Sequence, residues 1–248
     1  MLQQLFSGRV SFEIIIAEIL AVLVIIFLIL PFHEWAHAFT ASCLGDKGIK
    51  QRGRLSLNPL SHIDPIGALC MILFGFGWAK PVPIDSRNFK NPKLGMAITA
   101  LMGPVANLVA GFVGMIAIFV ITIVNPSLLY SVSGVESSQF FYNALPVCFY
   151  PGAPITVLGA FLSFYVSVNI NLAVFNLLPI PPLDGSKILF AFLPDRAVEF
   201  CYRYQMFFFI ALFALISFGP LRGLLSYLSS ALLQGMSWLA ALPFNMIS

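Results

Sequence analysis

Residues 19–44 read ILAVLVIIFLILPFHEWAHAFTASCL. The run is uninterruptedly apolar from Ile19 to Phe32, then carries His33, Glu34 and His37 within a further apolar-rich stretch that ends at Leu44. A bilayer needs about 20 consecutive apolar residues to be crossed by a helix, and this stretch supplies them. Ionisable groups inside such a segment cost several kcal/mol each, on the order set by bilayer insertion, unless they are paired or serve a function. Here three crowd into five residues. A cleaved signal peptide would end in a small-residue cleavage site after a short apolar core, and no such site follows, so the segment reads as a permanent helix.

Composition extends that reading to the whole chain. Of 248 residues 59% are hydrophobic and 9% charged, whereas soluble domains carry roughly a quarter charged residues. The expectation is an all-α polytopic membrane protein rather than a soluble enzyme or a disordered chain. Thirteen Lys and Arg against ten Asp and Glu give a net charge of +3 with no dense basic stripe, which excludes a nucleic-acid partner. Cys43, Cys70, Cys148 and Cys201 form no CxxC pair and suggest neither a disulfide framework nor a cysteine zinc site.

Further apolar spans are expected within Gly95 to Val124, Ile155 to Leu178, Gln205 to Phe218 and Leu224 to Leu242, the last two parted by Gly219-Pro220. That makes about five transmembrane helices. Pro65 to Trp78 is apolar but short and glycine-rich, which favours a re-entrant or interfacial segment between the first two spans. Pro81 and Pro83, alternating with Val82 and Ile84, then predict extended, β-like backbone. Basic residues near span ends prefer the cytoplasm. Lys47, Lys50, Arg52, Arg54, Lys80, Arg87, Lys90 and Lys93 lie between spans one and two, and Lys187, Arg196 and Arg203 follow span three. The amino terminus and the loop from Asn125 to Pro154 are accordingly expected outside. With no internal repeat and no long stretch outside the spans, residues 1–248 are read as one membrane-embedded domain.

The chemistry concentrates in His33-Glu34-Trp35-Ala36-His37, an HExxH pattern. Residues four apart stack on one helix face, so both imidazoles can address one ion, while Glu34 is offset far enough to miss the ion yet reach a water beside it. The alternative is a solvated helix end lying in the membrane interface. Catalytic zinc usually takes three protein ligands, so a third must come from elsewhere. His62, Asp46, Asp64, Asp85, Asp184, Asp195 and Glu199 are the candidates. Asp184 is favoured because it follows Asn176-Leu177-Leu178-Pro179-Ile180-Pro181-Pro182-Leu183 and precedes Gly185; a helix broken by three prolines at membrane depth is tolerated where it lines a cavity. A plain proline-rich helix stop is the competing explanation.

Taken together, His33 to His37, Gly103-Pro104-Val105-Ala106-Asn107 and Asn176 to Gly185 resemble the site-2 protease family of intramembrane zinc metalloproteases. The stretch from Arg54 to Pro65 is similar to bacterial members as well. The resemblance runs from Pro31 to about Asp195 and implies one zinc ion held by His33, His37 and Asp184. It further implies a water activated by Glu34, Asn176 holding substrate or oxyanion, and Asn107 lining the same cavity. The implied activity is a zinc endopeptidase that hydrolyses peptide bonds in or near transmembrane segments. The implied location is the bacterial cytoplasmic membrane, with the site facing the cytoplasm.

Buried asparagines also serve as interhelical hydrogen-bond partners, a reading that weighs at least equally for Asn107 and is the favoured one for Asn169 and Asn171. His62 is either a supporting group of the site or a solvated loop histidine. Many relatives carry a PDZ or CBS domain for which this chain has no room, so substrate choice is expected to lie in the membrane domain or in a regulatory partner. Phe76 to Ile84 is the candidate edge for an extended substrate, or else an interfacial anchor through Trp78. A rival class, a membrane protein that binds or passes a metal ion through the same cluster, fits poorly with the almost wholly apolar outward half of each span. A third reading keeps the zinc chemistry but acts on a soluble or lipid-modified peptide.

Overall fold

The computed structural model describes residues 20, 23–74, 78–124, 154–217 and 219–245. The expectations for the amino terminus, for Phe76 and for the loop from Asn125 to Pro154 fall outside these residues, apart from Pro154 itself. The described chain is helical, and its one β-type pairing is an isolated antiparallel bridge between Ile63 and Ala79.

The helices in order are α1 (Leu30–Leu44), α2 (Gly48–Gln51), α3 (Pro65–Phe74), α4 (Pro92–Val124), α5 (Pro154–Asn176), α6 (Asp184–Phe190), α7 (Asp195–Arg203), α8 (Gln205–Ser217) and α9 (Pro220–Asn245). A wider π turn, Ile25–Ile29, leads into α1, with the Leu30 amide donating to the Ile25 carbonyl. Pro31 has no amide to continue the ordinary i→i−4 ladder, and such local widening is how helices accommodate a missing donor. The turn stands just ahead of His33. At the other end α1 stops at Gly45, whose φ of 124° is open to glycine and strained for other residues.

Each expected span contains a helix. Among the described residues one helix segment, Pro92–Ile121, is long and apolar enough to cross a membrane. The pair Asp195–Arg203 and Gln205–Ile216, bent by 68°, makes a second if taken as one span. The segment Pro65 to Trp78 contains the ten-residue α3, started by Asp64, whose Oδ1 accepts the amides of Ile66 and Gly67 at 2.9 Å, with Pro65 at the first helical position.

Contacts divide the chain into two compact units, Met1–Ala106 with Asp184–Val198 and Asn107–Leu183 with Glu199–Ser248. The first has a small apolar core of Ala38, Ala41, Ile49, Val82 and Phe89, which seats the end of α1 and the extended stretch after Trp78. The second packs α5 against α9, and α8 against α9, around a larger core of Met115, Val166, Ile170, Val174, Leu178, Leu183, Leu212, Leu225, Leu233 and Ala240.

Candidate metal centre

Helix α1 stacks His33 and His37 one turn apart on a buried face, both about 95% shielded from solvent. Their Nε2 atoms are 3.0 Å from each other. Asp184, the first residue of α6, completes a triangle: its Oδ2 lies 3.2 Å from His33 Nε2 and 3.1 Å from His37 Nε2. The cis Pro181–Pro182 peptide stands in the turn that delivers it.

Two nitrogens and one carboxylate oxygen are donors that zinc accepts at about 2.0–2.2 Å, and a tetrahedron with such bonds has edges of about 3.4 Å. The observed edges are slightly shorter, so a small outward adjustment of the side chains accommodates the ion. The set leaves a fourth position open, which is the arrangement of a catalytic rather than a closed structural site.

The surroundings fix the ligand atoms. His37 Nδ1 donates to the Thr99 carbonyl at 2.7 Å, which places the remaining lone pair on Nε2, toward the centre. Lys187, one turn along α6, donates to Asp184 Oδ1 at 3.0 Å and leaves Oδ2 for the imidazoles. Gly103 lies one turn beyond Thr99 on α4. A Cβ built there would stand 2.6 Å from His33 Cε1 and closer still to the His37 ring. Only glycine lets the α4 backbone come so near the imidazoles. By contrast, His33 Nδ1 is buried with no hydrogen-bond partner among the described residues.

Glu34 accepts the Val82 amide on Oε2 at 3.2 Å. Lys80 donates its own amide to the His62 carbonyl at 2.7 Å. Pro81 and Pro83 have no amide hydrogen, and Arg52 donates to the Pro83 carbonyl at 3.0 Å.

The other candidate ligands have different partners. His62 is buried and donates Nε2–H to the Ser56 carbonyl at 2.7 Å, so it is not the solvated loop histidine that was the alternative. Asp64 caps α3. Asp46 takes the amide of Asp85 and the side chain of Asn88. Asp195 pairs with Lys93 at 2.8 Å and Glu199 with Arg203 at 3.3 Å. On the surface the Arg87 guanidinium, through its side-chain hydrogen bonds, holds the Asp85 carboxyl down at about 2.

Asn107 and Asn176 belong to the second unit, Asn176 as the last residue of α5. Asn107 is fully buried, and neither of its amide atoms has a partner among the described residues. The interhelical role expected of Asn169 and Asn171 gives way to a local one: each Nδ2 bonds the carbonyl four residues back, Tyr165 at 2.8 Å and Ser167 at 2.9 Å. Sequence reasoning passed over Thr99, Lys187 and Val82. Lys187 carries a readable signal, a cation three residues after a candidate ligand, whereas Thr99 and Val82 act through backbone atoms common to every residue.

An HExxH pair closed by a distant aspartate is a three-ligand set of the kind that holds a metal ion. The family model for peptidase family M50 matches residues 21–215, and the chain belongs to that family, the site-2 proteases. It is 37% identical over 157 residues to "Putative zinc metalloprotease YwhC" of Bacillus subtilis (strain 168), covering 63% of this chain and 62% of that protein. It is 30% identical over 158 residues to "Putative zinc metalloprotease Rip2" of Mycolicibacterium smegmatis, covering 62% of this chain and 49% of that one. The matched parts thus span about three fifths and one half of these relatives. No solved structure matches the chain.

Proposed function

We propose that the protein is a zinc-dependent endopeptidase of the intramembrane type, cutting peptide bonds in or near transmembrane segments of its substrates. The observation that carries this reading is the triangle of His33 Nε2, His37 Nε2 and Asp184 Oδ2, with Glu34 next in sequence to one of its corners. Zinc, when bound, supplies Lewis acidity toward the scissile carbonyl and lowers the pKa of an attacking water toward neutrality. His33, His37 and Asp184 hold it, Asp184 also removing part of its charge. Glu34 takes the proton of the attacking water and returns it to the leaving amine, its carboxylate oriented by the Val82 amide. By the family resemblance Asn176 is assigned the role of holding the substrate or donating to the developing oxyanion.

A substrate helix shields its amides with its own hydrogen bonds and must open locally before attack. Phe76 to Ile84 is the segment along which the opened strand would lie. The reading further includes about five crossings of a bacterial cytoplasmic membrane, a site open to the cytoplasm, and substrate selection by the membrane domain itself or by a regulatory partner.

The test pairs metal content with cleavage of a panel of membrane-spanning peptides. Glu34→Gln is expected to retain zinc and lose cleavage, while His37→Ala or Asp184→Ala loses the metal as well. A Glu34→Gln protein that still cuts, or a wild-type protein that carries zinc into proteoliposomes and cuts nothing, overturns the reading.

A further inference from the structure

Asp46 follows Gly45, the residue that ends α1. It is completely buried, yet it bonds none of the residues of the metal centre. Its carboxylate is saturated with donors. Oδ1 accepts the Gly48 amide at 3.2 Å and Asn88 Nδ2 at 3.1 Å; Oδ2 accepts the Asp85 amide at 2.9 Å and faces Arg52 at 3.5 Å. A buried carboxylate is costly to desolvate and is stabilised here by using both oxygens for several donors at once. Two of those donors, Asp85 and Asn88, lie at the far end of the extended stretch whose middle residue, Val82, bonds Glu34.

The stretch is therefore fastened to the α1 region at two points, Glu34 and Asp46, both carboxylates. Between the two fastened residues, Val82 and Asp85, lie Pro83, whose carbonyl Arg52 holds, and Ile84, packed against the small core. Proline fixes its own φ and restricts the residue before it, so Pro81 and Pro83 stiffen Lys80 to Pro83. Val82 is also buried in the same small core as Ala38, Ala41 and Phe89. A stiff segment transmits a shift at Asp85 to Val82 instead of absorbing it.

We propose that Asp46 is a positioning residue for Glu34: by anchoring Asp85 and Asn88 it sets the place of the Val82 amide, which orients the Glu34 carboxylate toward the metal centre. The catalytic part rests on the reading of Glu34 as general base, whereas the mechanical link stands on the hydrogen bonds alone.

Asp46→Asn is the informative change, because an amide presents a donor where the site offers only donors and so must release one arm. Asn88→Ala, which removes a single arm, gives the same direction at smaller size should Asp46→Asn fold poorly. Three quantities are measured on the full-length protein in detergent: amide hydrogen exchange over residues 79–89, zinc affinity by chelator competition, and kcat and KM on a membrane-spanning model peptide. Between Lys80 and Pro83 only Lys80 and Val82 possess an exchangeable amide, so that window reports Val82 against a single neighbour.

Asp46→Asn is expected to speed exchange at Val82 and at Asp85 to Asn88 about tenfold or more. Zinc affinity should stay within about twofold, and kcat should fall about tenfold to hundredfold, the scale of a small misplacement of a reacting group, with KM little changed. Glu34→Asp, too short to keep the Val82 contact, should already carry most of this loss, so that adding Asp46→Asn costs little more. Unchanged exchange at Val82, full additivity of the two substitutions, or zinc loss in Asp46→Asn would each overturn the proposal. If the wild-type protein cuts no peptide, the reading of Glu34 as base fails with it, and the exchange data then decide the mechanical link separately.

Discussion

The two units handle polarity in opposite ways. In the first, charged and polar side chains bond partners far away in sequence: Asp184 with His33 and His37, Asp46 with Asp85 and Asn88, Glu34 with Val82. In the second, the charged described residues are Glu199, Arg203 and Arg222, and the buried amides of Asn169 and Asn171 turn back on their own helix. Long-range polar contacts need every element in register, so they make a site and are intolerant of displacement. Local ones make a helix self-sufficient and leave its packing to apolar surfaces.

Substitutions can break this contrast. The largest effect on stability is expected in the second unit: Ile170→Ala empties a fully buried position and should cost about 2–5 kcal/mol in a reversible unfolding assay, with the zinc affinity of the folded protein unchanged. Zinc loss from that variant while folded would show the two units to be less distinct than their contacts suggest.

Next comes a matched pair on one helix. Gly103→Ala drives a methyl group into the imidazoles, and overpacking of this kind costs about 1–3 kcal/mol, to be read as weakened zinc binding. Gly111→Ala meets its nearest neighbour, Asn169 Cβ, at 3.4 Å, an ordinary contact. It should be neutral or stabilising by up to about 1 kcal/mol through helix propensity. Equal effects at the two glycines would remove the distinction.

A smaller change follows from Lys187→Met, which frees Asp184 Oδ1. Loss of such an outer partner weakens metal binding about tenfold to hundredfold, measurable by chelator competition, with Lys187→Arg recovering part of it.

The smallest concerns the exposed Asp85–Arg87 pair. The Asp85 pKa is depressed to about 2, so its contribution is present above the ordinary carboxylate range and lost as pH falls through about 2. In Arg87→Ala the Asp85 carboxyl should titrate higher by NMR, with little change in overall stability because the pair is solvated.

Much of the helical layout was legible because long apolar runs parted by Gly and Pro admit few other structures; Gly219, at φ 98°, falls in the break expected between the last two helices. The imidazole pair was legible because helix geometry alone puts His33 and His37 together. Asp184 needed more, since nothing in its local spacing says which distant helix it meets; the proline run and the family motif supplied that. What could not be read was backbone work. The Thr99 carbonyl, the Val82 amide and the clearance at Gly103 depend on tertiary approach, and any residue type carries the same amide and carbonyl. An apolar helix as short as α8 satisfies a hydropathy argument without the length to span a bilayer on its own, so composition gives its place and not its path.

Between Lys80 and Pro83 no amide is left to give: two residues lack one, and the other two have committed theirs to His62 and Glu34. Sheet edges propagate by reciprocal exchange, each strand giving as well as receiving. Two copies meeting along this stretch can offer each other carbonyls but no amides, so the protein carries a strip of extended backbone that disfavours zipping onto its own copies and still accepts a peptide that brings its own amides.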